Sequence, residues 1–129
     1  MSLIGCALIA ACVLAIVHNL APTHVRTKKF GRDWNMGARD TDPAAEPPLA
    51  GRLERARVNY HENFLVFVAL ALLLIVTGRD SIIGEIGALV WLVSRLIYLP
   101  LYAKGTPKVR TLVWTVSLLG LIAMAVDLA

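Results

Sequence analysis

Arg52, Arg55, Asn59 and Glu62 place two cations, an amide and an acid on one helical stripe. With Arg55 at zero and 100° per residue, Asn59 stands at about 40°, Glu62 at about −20° and Arg52 at about 60°. Arginine forks take carboxylates in bidentate fashion, and an acid beside them is available for an ammonium. Arg57 at about 200° and His61 at about 240° fall off the stripe. A second set follows: Arg95, Tyr98 and Tyr102 stand at about 0°, −60° and −20° around their own helix. Lys108 and Arg110 come soon after. The spacing predicts three helices converging on one cationic, hydrogen-bonding cleft suited to a ligand that carries carboxylates.

These residues interrupt a very apolar chain. Of its 129 residues, 57% are hydrophobic and only 17% charged, beyond the usual share for a soluble domain. The pattern predicts an all-α integral membrane protein, one domain built as a four-transmembrane-helix bundle. The helices are expected over about 2–20, 51–77, 82–102 and 108–128, each able to cross a hydrocarbon layer of roughly 30 Å. Pro22, Gly31, Gly37, Pro43, Pro47 and Pro48 punctuate a polar stretch that reads as a long loop over 21–50. Thr77, Gly78, Arg79 and Asp80 read as a tight turn, and Pro107 suits the first turn of the last helix. Met1 and Ser2 offer no positive charge ahead of the first apolar run, so that run reads as a retained helix and not a signal peptide.

Lysine and arginine set the orientation. Arg26, Lys28, Lys29, Arg32, Arg39, Arg52, Arg55 and Arg57 share one side with Lys104, Lys108 and Arg110, while the other side has Arg79. The positive-inside rule then makes the long loop cytosolic and puts both termini outside. The net charge of +4 lies in gaps between apolar runs and not on a helix that could enter a nucleic-acid groove, so no nucleic-acid partner is expected.

An ionisable side chain inside a span costs at least about 2.5 kcal/mol, so each needs a reason. Arginine and tyrosine near a helix end commonly snorkel or form an interfacial belt, and Glu62 with Arg95 would serve as a structural ion pair. Snorkelling does not require Asn59 and Glu62 to share the arginines' stripe. The clustering favours a site. His18, His24 and His61 read as polar surface, Glu85 and Asp127 as helix-end acids without function, and Trp34, Trp91 and Trp114 as packing or interface residues. Cys6 and Cys12 point to different sides of one helix and cannot bridge. No phosphate loop, nucleophile motif or metal-ligand spacing appears.

The run Arg55-Ala56-Arg57-Val58-Asn59-Tyr60-His61-Glu62-Asn63 resembles the Arg-Ala-x-x-Asn-x-x-Glu signature of the MAPEG proteins, the membrane-associated proteins in eicosanoid and glutathione metabolism. Arg95, Tyr98 and Tyr102 resemble the family's third-helix Arg-x-x-Tyr-x-x-x-Tyr pattern, and Arg110 the arginine that opens its fourth helix. Gly37-Ala38-Arg39-Asp40 is similar to bacterial members. The likeness covers the whole chain in span number, loop lengths and motif order.

The resemblance implies a homotrimer in a bacterial inner membrane, with glutathione as co-substrate held near the cytosolic face. Arg52, Arg55, Asn59, Glu62, Arg95, Tyr98 and Tyr102 would form the glutathione site, with the two tyrosines supplied by a neighbouring subunit. Arg110 would be the catalytic cation that favours the thiolate, with Lys108 as its competitor, and the thiolate would attack a hydrophobic electrophile arriving from the lipid. No metal is implied. The expected activity is that of a glutathione-dependent transferase or peroxidase. Asn63 stands where some eicosanoid-forming members have tyrosine, and Thr111 where bacterial relatives often have serine. The family also includes a non-enzymatic lipid-binding scaffold, which is the alternative reading. A small four-helix transporter is a third; against it, arginines beside Glu62 would hold the acid ionised and stop it cycling protons.

Overall fold

The computed structural model describes residues 1–39, 46–79 and 81–129. Four long helices and one short one account for most of them: α1 Leu3–Phe30, α2 Arg32–Met36, α3 Pro48–Thr77, α4 Ile82–Lys104 and α5 Pro107–Leu128. All four long helices are long and apolar enough to cross a membrane. This is an all-α integral membrane protein of the four-helix bundle kind.

The helix ends follow from local chemistry. The Ser2 hydroxyl accepts from the Gly5 N–H at 3.2 Å and starts α1, and the Ser81 hydroxyl does the same for α4 from Ile83 at 3.3 Å. Pro48 and Pro107 occupy first turns, where a missing N–H costs nothing. Gly78 and Gly105 close α3 and α4 in the left-handed region, at φ 64° and 74°, a conformation that side chains resist.

The expected long loop over 21–50 is corrected. α1 continues through Pro22 as far as Phe30, α2 follows after Gly31, and α3 starts at Pro48. A proline removes one backbone bond at a cost of about 3 kcal/mol. Pro22 is buried in a helix that packs along the length of α3, and that packing outweighs the loss. The polar stretch marks where α1 leaves the apolar layer, not where it stops being helical. Asp40, Pro43 and Asp80, expected in the loop and the tight turn, lie outside the described residues.

Two intimate helix pairs, α1 with α3 and α4 with α5, build the bundle, and α3 and α4 join them. A Cβ added to Gly87 would lie 2.7 Å from the Gly120 carbonyl oxygen, and one added to Gly120 would lie 2.8 Å from the Trp91 nitrogen. Lipid tails are as apolar as leucine, so close packing of this kind, rather than a hydrophobic drive, holds such helices together. Trp91 lies flat on Phe67, ring centroids 4.0 Å apart, where α4 meets α3. The buried Tyr60 hydroxyl donates to the Ala11 carbonyl at 2.7 Å and ties α3 to α1. Its ring stacks on His18 at 4.3 Å. His18 is therefore not polar surface, as its sequence position suggested, but fully buried between these helices.

Candidate functional site

α3 begins, α4 ends and α5 begins at the same end of the bundle, so their polar residues meet there. The stripe on α3 supplies one wall of a pocket of about 430 Å³, with Arg55, Asn59 and Glu62 joined by Glu54 and Val58. The last turns of α4 supply Tyr98 and Tyr102, and the first turn of α5 supplies Arg110. All of these come from a single chain. Antiparallel packing brings the end of α4 beside the start of α3, so the chain's own Tyr98 and Tyr102 face its own α3 stripe.

A column of rings and cations positions the α4–α5 side. The Arg95 guanidinium sits 5.9 Å from the Trp91 ring centroid and 5.2 Å from that of Tyr98. Tyr98 meets Tyr102 edge-on at 5.5 Å, and Arg110 covers the Tyr102 ring at 4.5 Å. Cation–ring attraction of this kind is worth about 0.5–2 kcal/mol and fixes where each guanidinium rests. On the α3 side, a Cβ at Gly51 would come within 3.4 Å of Arg55 Nη1, so the bare glycine leaves room for the Arg55 side chain to fold back along its helix.

Charge is unevenly satisfied. Arg57 donates to Glu54 at 3.0 and 2.5 Å, and Arg26 of α1 reaches the same acid at 3.5 Å. Arg26 also pairs with Glu46. These are the ion pairs among the described residues, and Arg55, Glu62, Arg95 and Arg110 belong to none of them. The pocket therefore presents two uncommitted arginines and one uncommitted acid, with Glu54 already neutralised at its edge.

Two expected residues stand outside the lining. Arg95 is fully buried behind the pocket, where its Nη1 donates to Asn59 Oδ1 at 2.7 Å. Arg52 sits a turn away from Arg55, with its side chain packed over the α4–α5 turn; a Cβ on Gly105 would lie 3.8 Å from Arg52 Cδ. Lys108 is exposed and is not among the pocket residues. Glu54 was missed by the sequence reading. Its three-residue spacing from Arg57 was the available signal, since such pairs share a helix face. An apolar groove of about 460 Å³ runs along α4 and α5, lined by Leu89, Val93, Ser94, Ile97, Leu112 and Val116 among others.

Fold and site together define an integral multi-pass membrane protein with a cationic pocket set at one end of a four-helix bundle. The chain belongs to the MAPEG family, whose model matches residues 4–129. It is thus a membrane protein of the group associated with eicosanoid and glutathione metabolism. No curated protein and no solved structure matches it.

Proposed function

We propose that this protein is a glutathione-dependent membrane transferase or peroxidase that activates the glutathione thiol against hydrophobic electrophiles. One observation carries the reading. Arg55, Glu62 and Arg110 share a pocket with Asn59 and two tyrosines, and none of the three has a charged partner among the described residues. Glutathione offers the complement: carboxylates for Arg55, an ammonium for Glu62 and a thiol for Arg110. A pocket of about 430 Å³ falls in the usual range of roughly 300–1,000 Å³ for small-ligand sites.

In this reading Arg110 stabilises the thiolate, since a nearby cation favours the charged form of sulfur. The thiol proton leaves to water at the pocket mouth. The sulfur electron pair then forms a bond to the electrophilic atom of the acceptor. In a displacement the leaving group departs with the electrons of its old bond, and in an addition the new carbanion collects a proton. On a peroxide the alkoxide leaves and takes a proton, and a second glutathione reduces the resulting sulfenic acid to give the disulfide and water. The chain supplies position and a fixed electrostatic field, not a covalent intermediate. The acceptor arrives from the lipid, and the leucine- and valine-lined groove on α4 and α5 supports an apolar one. The reading also includes a homotrimer, as family members often form, with the basic end cytosolic by the positive-inside rule and both termini outside.

The test is a spectroscopic titration of the detergent-solubilised protein with glutathione. The ultraviolet thiolate band should grow to saturation, and a generic electrophile should then be conjugated. Arg110→Ala should retain most of the binding and lose the band. Binding with no band in the wild type would make the protein a non-catalytic scaffold, and loss of the band with Lys108→Ala alone would move the role to that lysine.

A further inference from the structure

Arg95 is a full charge with no counter-ion among the described residues. It is completely buried on α4, makes no ion pair among the described residues, and leaves its Nε and Nη2 without hydrogen-bond partners. The rings of Trp91 and Tyr98, at 5.9 and 5.2 Å, offset part of the cost of burying it. Cation–ring contacts make up only part of what is lost when a guanidinium leaves water. Its one hydrogen bond goes to Asn59 Oδ1 at 2.7 Å, and Asn59 lines the pocket.

That bond decides what Asn59 shows to a ligand. A guanidinium carries donors and no acceptor, so the Asn59 atom facing it has to be the carbonyl oxygen. The amide nitrogen, which can only donate, is then left for the pocket side. Without Arg95 the amide would be free to turn and present either atom.

We infer that Arg95 is a positioning residue that never touches the ligand: it locks Asn59 as a hydrogen-bond donor toward a carboxylate, whose negative charge completes the balance that Arg95 lacks. The ligand half of this inference rests on the glutathione reading; the Arg95–Asn59 half does not. Stability and binding should therefore change in opposite senses when the pair is altered. Asn59→Asp supplies the missing counter-ion inside the protein, which raises the melting temperature, and removes the donor, which lowers glutathione affinity at least about tenfold. Arg95→Met removes the unpaired charge at similar length. It should leave the melting temperature equal or higher and weaken glutathione binding about tenfold, with Arg95→Lys recovering much of the loss.

Thermal unfolding in detergent and calorimetric titration with glutathione, on wild type and the three variants, decide the matter. A merely structural arginine predicts a lower melting temperature for Arg95→Met, and a lower one for Asn59→Asp with affinity intact; either result overturns the inference. Absence of glutathione binding to the wild type overturns the glutathione reading and the ligand half with it. The melting temperature of Asn59→Asp then still decides the Arg95–Asn59 half, a rise supporting it and a fall overturning it.

Discussion

The two ends of the bundle handle polar groups in opposite ways. Where the termini meet the α3–α4 turn, Asp127 of α5 accepts from the Ser81 N–H and the Gly84 N–H, both at 3.1 Å, and from the Ser81 hydroxyl. An acid at the start of α4 also meets the positive end of the helix dipole. Arg79 donates to the Leu128 carbonyl at 2.5 Å and satisfies the last turn of α5. A side chain on Gly84 would collide with the Asp127 carboxylate. At the basic end Glu54 is neutralised by Arg57 and Arg26, but the pocket beside it is left open. Among the described residues, Arg55, Glu62 and Arg110 line a pocket without charged partners, and Arg95 and Arg52 keep buried nitrogens that donate to nothing. Satisfied polar groups hold a structure closed. Unsatisfied ones at matched depth on three helices are what a ligand can complete.

The largest effect is expected where α4 and α5 pack most closely, between the two ends. Gly120→Leu drives a side chain into the Gly87 carbonyl and the Trp91 backbone, and should cost at least about 3 kcal/mol, read as loss of a cooperative melt. Next comes Arg55→Ala at the open end, which should weaken glutathione binding roughly 10–100-fold by calorimetry while the melting temperature holds. Asp127→Ala removes the acid that caps α4 and should cost about 1 kcal/mol of stability without changing glutathione affinity. Lys108→Ala sharpens the comparison by doing little. That side chain is exposed outside the pocket, so stability should stay within about 0.5 kcal/mol and the thiolate band should be unchanged. An Asp127 effect on binding equal to that of Arg55 would erase the distinction between the two ends.

Much of this was legible in the residues. Apolar runs long enough to cross a bilayer fixed the four helices, and the four-and-three spacing of Arg55, Asn59 and Glu62 fixed the face they share. Angular position, however, says nothing of depth. Arg95 lies on the same face as Tyr98 and Tyr102 yet is seven residues, roughly 10 Å, below the latter, so it ended behind the pocket and not in its wall. Arg52 shares the α3 stripe but meets the α4–α5 turn, a neighbour that no single-helix periodicity reveals. Polarity misled at α1, because the composition of residues 23–30 reports contact with water and a helix can continue into water. His18 was misjudged for a related reason: the side of α1 that holds it is set by α3, through the Tyr60 ring. Asp127 read as an idle helix-end acid because its partners, Ser81 and Gly84, are more than forty residues away.

The most direct measurement compares wild type with Glu62→Gln, an isosteric change that deletes the pocket's uncommitted negative charge. Calorimetric titration with glutathione should show saturable binding in the wild type and a loss of roughly 10–100-fold in the variant, with both melting at the same temperature. Equal affinity in the two proteins would contradict the assignment of this pocket as the place where the ligand's ammonium is held.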